Sequence, residues 1–150
     1  MPGRNVHTVA GGMTGGVFAF IRTPDCTPKR RLPETIGGVV GGYYGGRLPD
    51  LIEPATSPWH RGVAHSGVLT AILASSSDRL GQWERHCREQ AAQHRAASLV
   101  PGADPISAVW HTLAEWFWRF LAGVAAGLFA GYLSHVALDA LTPRSLPLFA

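Results

Sequence analysis

The sequence predicts an all-α protein, an up-and-down bundle of about four glycine-rich helices that is membrane-embedded and carries a polar helical excursion. Three observations carry that prediction. Long apolar runs are separated by proline-centred breakers at Pro24, Pro49 and Pro101 to Pro105. Glycines inside those runs recur at four-residue spacing. Charge is scarce, because Asp, Glu, Lys and Arg make up 15% of the chain against roughly 25% in an ordinary soluble domain.

The first helix is expected over residues 6–21, stopped by Arg22-Thr23-Pro24-Asp25. The second is expected over residues 34–47 and stopped by Pro49. The third enters near Arg61-Gly62 and carries apolar residues through Ala74. Beyond it, the helix-favouring stretch 79–97 either continues that helix or restarts after Ser75-Ser76-Ser77. The fourth starts near Ile106, after Pro101-Gly102-Ala103-Asp104-Pro105, and runs to Leu141 before Pro143.

The glycine pairs are Gly11/Gly15 and Gly12/Gly16 in the first helix. Gly37/Gly41/Gly45 and Gly38/Gly42/Gly46 follow in the second, and Gly123/Gly127/Gly131 in the fourth. In water each mid-helix glycine costs roughly 0.5–1 kcal/mol relative to alanine. In a bilayer the same spacing lets backbones approach closely and becomes a packing motif. A spanning helix needs about 20 apolar residues, and the first three runs are shorter than that. Residues 117–141 are long enough, with Trp110, Trp116 and Trp118 near Arg119 reading as an interfacial belt. The embedded bundle is therefore favoured over a soluble, tightly packed one.

At 150 residues the chain makes one domain, with residues 78–105 as a polar helical insertion between the third and fourth apolar helices. The mean hydropathy of +0.08 understates how apolar the rest is, since most polarity lies in 78–104. A net charge of +3 and a pI near 9.3 would suit nucleic acid, but the basic residues sit in connections between apolar segments. That placement is juxtamembrane, and no nucleic-acid partner is expected. Cys26 and Cys87 form no CxxC pair, which excludes a metal knuckle. Only Arg4 precedes the first apolar run, which itself carries His7, so that run reads as retained rather than cleaved.

In a four-helix up-and-down bundle, the start of the first helix, the second connection and the end of the fourth meet at one end. The residues with chemical capacity lie there. His7 opens the first helix, Asp50 and Glu53 follow Pro49, His60 and His65 flank entry to the third helix, and His135 and Asp139 close the fourth. His135 and Asp139, four residues apart, share one helical face. The bland alternative for them is a buried ion pair, and for Asp50 a turn residue after a helix stop. His60 and His65 would lie about 140° apart on a continuous helix, so one belongs to the preceding loop. Arg61 reads as a partner for a nearby carboxylate.

The mixed set of imidazoles and carboxylates suits a divalent metal ion, one or two in number. Zinc is the first candidate, with manganese or iron as alternatives. Such a centre with an open position activates water, and hydrolysis is the reaction class it serves. His7, Asp50, Glu53, His60, His65, His135 and Asp139 are the candidate ligands; Asp50 and Glu53 are also the candidate catalytic carboxylates. Ser57, Ser66 and Ser134 adjoin the ligands and are placed to orient them. His86, His94 and His111 fall at the opposite end, as solvated or interfacial residues.

Pro49-Asp50-Leu51-Ile52-Glu53, His60-Arg61-Gly62-Val63-Ala64-His65-Ser66 and the segment from Gly131 through Ser134-His135 and Asp139 to Thr142-Pro143 resemble a known family. They are similar to the motifs of the YdjM-like, LexA-binding inner-membrane metal-dependent hydrolases of bacteria. The resemblance covers nearly the whole chain and implies a multi-helix inner-membrane protein with metal-dependent hydrolase activity. Glu53 stands where that family has Asp, Ala64 where it has Thr beside the histidine, and Arg144-Ser145-Leu146 where it has a glycine turn.

Nine of the 13 Lys and Arg residues fall at the end away from these motifs: Arg22, Lys29, Arg30, Arg31, Arg79, Arg85, Arg88, Arg95 and Arg119. The positive-inside rule then puts the metal site on the outer side of the membrane, with both cysteines as free thiols in the reducing compartment. Membrane lipids, an unidentified substrate (phosphoester or lipid-derived) and a protein partner or second copy are the expected partners. The competing function is a membrane adaptor with a structural metal, recruiting a partner through 78–104. A glycine-zipper oligomer or small channel is the third.

Overall fold

The computed structural model describes residues 4–24, 27–52 and 77–141. Within them lie five helices: α1 (Arg4–Arg22), α2 (Pro28–Gly45), the short α3 (Leu48–Ile52), α4 (Ser77–Ser98) and α5 (Pro105–Ala140). No strand occurs among the described residues, and the architecture is the all-α bundle expected. The third apolar run, residues 62–74, lies outside them.

The ends follow local chemistry. α1 stops where both the N–H and the Oγ1 of Thr23 donate to the Ala19 carbonyl, at 3.0 and 2.8 Å, ahead of Pro24. α5 starts on Asp104, whose side chain accepts from the Ser107 N–H at 3.0 Å with Pro105 in the first turn. α2 begins at Pro28 rather than at Glu34. Pro28 lacks only an N–H that a first turn leaves without an intrahelical partner, and Pro33 forfeits a single bond, so neither prevents the extra turns. Arg30, in those turns, reaches Glu115 of α5 at 3.4 Å.

α2 lies against both α1 and α5, and glycine sets how closely. A Cβ added at Gly15 or at Gly127 would strike the Gly38 carbonyl; one at Gly11 or Gly131 would strike that of Gly42. Three backbones therefore meet in successive layers, Gly15/Gly38/Gly127 and then Gly11/Gly42/Gly131. Gly37, Gly41 and Gly45 in turn sit on the carbonyls of Phe120, Val124 and Leu128. α1 runs antiparallel to α2 and α5 in this seam.

With small residues inside, the large apolar side chains point out. Val9, Met13, Val17, Phe20 and Ile21 of α1 and Leu32, Ile36, Val39 and Tyr44 of α2 are all exposed. Among the described residues one helix, α5, is long and apolar enough to cross a membrane.

Charge, by contrast, is turned inward. Glu34 is fully buried; its Oε2 accepts from Thr23 Oγ1 at 3.0 Å and from Arg88 Nη2 at 2.9 Å, and its Oε1 from Arg119 Nη1 at 2.9 Å. Arg88 continues to Glu84 at 2.8 Å and Glu84 to Arg22 at 2.9 Å. Arg119 continues to Glu115 at 3.0 Å. α4 is thus more than an exposed polar excursion. Its Glu84, Cys87 and Ala91 are buried on one helical stripe, and it packs along α5. The sequence reading of Arg119 as interfacial gives way here, because Glu34 and Glu115 meet it inside the bundle; on α4, Glu84 and Arg88 turn inward while Arg79, Arg85 and Glu89 stay exposed.

Candidate metal centre

The glycine stripes lead directly into the site. Stepping by four along α1 gives Gly15, Gly11 and His7; along α2, Gly38, Gly42 and Gly46; along α5, Gly127, Gly131, His135 and then Asp139. One layer beyond the last triple-glycine contact, two of the three backbones carry imidazoles in place of hydrogen atoms. Residues four apart share a helical face, so the stripe that makes the helices touch also aims His7 and His135 at each other.

His7, His135 and Asp139 are all buried, at 3%, 0% and 1% exposure. The two imidazole rings stack with centroids 3.9 Å apart and planes 24° from parallel. His7 Nε2 lies 3.4 Å from Asp139 Oδ1, and His135 Nε2 lies 3.7 Å from Asp139 Oδ2. Asp50, half-buried on α3, brings Oδ1 to 3.7 Å from His135 Nε2. One donor atom each from His7, His135 and Asp139 can be chosen within 4.8 Å of the others.

These separations exceed a good charge-assisted hydrogen bond, which would be about 2.7–2.9 Å. They match another geometry. Ligands held at about 2.1 Å from a tetrahedral ion stand about 3.4 Å from one another. The donor set, imidazole nitrogen with carboxylate oxygen, is the one such an ion takes, so this group could hold a metal ion.

The orientation of His135 is fixed from its other nitrogen. Nδ1 lies 2.6 Å from the Gly46 carbonyl and donates to it, which leaves Nε2 facing Asp139 and Asp50. Gly46 is the orienting group the sequence reading missed. The signal was present, because Gly46 stands on the α2 stripe in register with His135. Ser134, expected to orient a ligand, instead donates its hydroxyl to the Gly131 carbonyl one turn back, at 2.7 Å.

Of the predicted site residues, the structure brings together His7, Asp50, His135 and Asp139; Glu53, His60 and His65 lie outside the described residues, as do Ser57 and Ser66. The histidines left out of the site are engaged elsewhere. His94 and His111 place their Nδ1 atoms 2.9 Å apart, and His86 meets Trp118 edge-on at 6.0 Å between ring centroids. Comparison with protein-family models, with curated proteins and with solved structures gives no match.

Proposed function

We propose that this chain is a multi-pass inner-membrane protein of the YdjM-like kind that uses a divalent metal, zinc first, to hydrolyse a phosphoester or lipid-derived substrate. The observation that carries the metal reading is the convergence of His7, His135, Asp139 and Asp50 at 3.4–3.7 Å from three separate helices. Glu53, His60 and His65 follow Asp50 in sequence and are the residues proposed to complete the ligand set. The outward apolar faces of α1 and α2, around an interior of glycine and ion pairs, support embedding.

A bound ion would supply Lewis acidity and a water whose pKa falls to about 7. The chain's own groups divide the remaining work. His7, His135 and Asp139 are buried and positioned as ligands, and Gly46 keeps His135 in the tautomer that presents Nε2. Asp50 is less buried than these three, at the rim of the cluster, and is the described carboxylate placed to take a proton from a reacting water.

Metal analysis of protein purified without chelators tests the reading, together with hydrolysis of phosphoester and lipid-ester substrates before and after chelation. A metal-free wild-type protein would sink it. Full biological effect in a His135→Ala, Asp139→Ala double variant would sink catalysis and favour the adaptor.

For orientation, the excess of basic residues in the connections of the far end supports a metal centre on the outer side. Cys87 is a poor topology reporter, because it is buried and burial pushes its thiol pKa up. A cysteine introduced at Gln93, exposed on α4, is the better probe. Its ready modification by an impermeant maleimide on intact cells would reverse the orientation.

A further inference from the structure

At the end of the bundle away from the candidate metal centre, α2 and α5 border an apolar groove of about 610 Å³. Leu32 and Ile36 of α2 and Trp116, Phe117 and Phe120 of α5 line it, and Lys29 stands at its α2 N-terminal end. A second groove of about 450 Å³ runs along the other flank of α2, lined by Phe20, Arg31 and Thr35, and it shares Leu32 with the first. Two apolar troughs thus flank one exposed leucine, each with one basic residue in the same turn of helix.

The charge around them is one-sided. On α2 and on residues 105–120 of α5 the only acids are Glu34 and Glu115, and both are buried against guanidinium groups of Arg88, Arg119 and Arg30. Arg31 lies over the Phe20 ring at 4.4 Å, and Lys29 is exposed. What the surface offers is cationic at the head and apolar below. Trp116 is half-exposed in the groove, and an indole is a side chain that favours the headgroup boundary of a bilayer.

We propose that these twin grooves bind one anionic phospholipid, its two acyl chains on either side of Leu32 and its phosphate against Lys29. A two-tailed anion matches the pair of troughs and the basic head, and a zwitterionic lipid does not match the one-sided charge. The proposal rests on the membrane embedding proposed above.

The test reconstitutes the full chain in phosphatidylcholine vesicles carrying a minor fraction of phosphatidylglycerol brominated on its acyl chains. Tryptophan quenching is compared with that from the same fraction of brominated phosphatidylcholine, and a Trp116→Phe variant isolates the contribution of Trp116. Phosphatidylglycerol is expected to be enriched at Trp116 about fivefold, the effect of one basic side chain on an anionic lipid. Lys29→Glu abolishes that preference and Lys29→Gln reduces it, whereas Arg79→Glu, on the exposed face of α4, leaves it unchanged. Equal quenching by the two lipids, with the protein still floating with the vesicles, overturns the lipid site and leaves embedding intact. A protein that does not float overturns both.

Discussion

Two buried polar clusters occupy opposite ends of the same helical seam, and they are built on opposite principles. Around Glu34 the charges alternate and close. Both oxygens of Glu34 and both of Glu84 accept from guanidinium groups at 2.8–3.1 Å, tying α1, α2, α4 and α5 together. At the other end the imidazole nitrogens of His7 and His135 stand 3.4 and 3.7 Å from Asp139, and Asp50 stands 3.7 Å from His135. An interior that contracts onto its charges is a lock, whereas one that holds imidazoles and carboxylates a tetrahedral edge apart could hold an ion.

The sharpest way to break that contrast is at the metal end. Asp139→Ala is expected to lower metal affinity by more than about 100-fold, beyond the loss that follows removal of an outer-sphere partner. Metal content of the purified protein should fall to background by mass spectrometry while helical content is unchanged. Retained stoichiometric metal would mean that Asp139 is not a ligand.

Removing Glu34 should do the reverse. Glu34→Ala leaves Arg88 and Arg119 buried without their shared carboxylate, a class of change that costs about 3–5 kcal/mol. The lower end applies, since Arg88 keeps Glu84 and Arg119 keeps Glu115. Unfolding in mixed micelles reads the loss, and metal bound per folded chain should be unaltered. If metal is lost as well, the two ends are not independent.

The seam between the clusters gives a smaller effect. Gly127→Ala puts a methyl group into the Gly38 carbonyl, and the overpacking is expected to cost about 1–3 kcal/mol. It should also weaken metal binding, because His135 lies two turns further along the same stripe. Gly81→Ala is the control. Its Cβ would meet only the flexible end of Arg85, at 3.4 Å, so it should stabilise by about 0.4–1 kcal/mol. The smallest change expected is Arg22→Ala, at most about 1 kcal/mol, because the Arg22 side chain is 43% exposed.

Much of the fold was legible because its signals are local. Proline and cap residues fixed the ends of α1 and α5 to within a residue or two, and the four-residue glycine spacing marked the faces that touch. The start of α2 was less legible: it was expected at residue 34, whereas the helix begins at Pro28 and its first turns carry Arg30 to Glu115. Half of the site was equally plain. His135 and Asp139 share a face by periodicity alone, and His7 and Asp50 were placed at the same end by alternation of helix direction. The Glu34 cluster was not legible. Glu34 meets Arg88 and Arg119 across 54 and 85 positions of chain, and no periodicity connects residues on different helices.

Helical periodicity alone thus settles which residues share a face: the glycine stripes, and the histidines and aspartate that extend them. Which faces meet, and at what height, is settled by packing between the helices. Backbone contact at Gly38 and Gly42 fixes the register of α1 and α5 against α2, and with it both the layer where His7 faces His135 and the height at which Arg119 reaches Glu34. Helical periodicity is a property of each segment, but register is set by the closest approach between segments, and that is where the missing Cβ atoms matter.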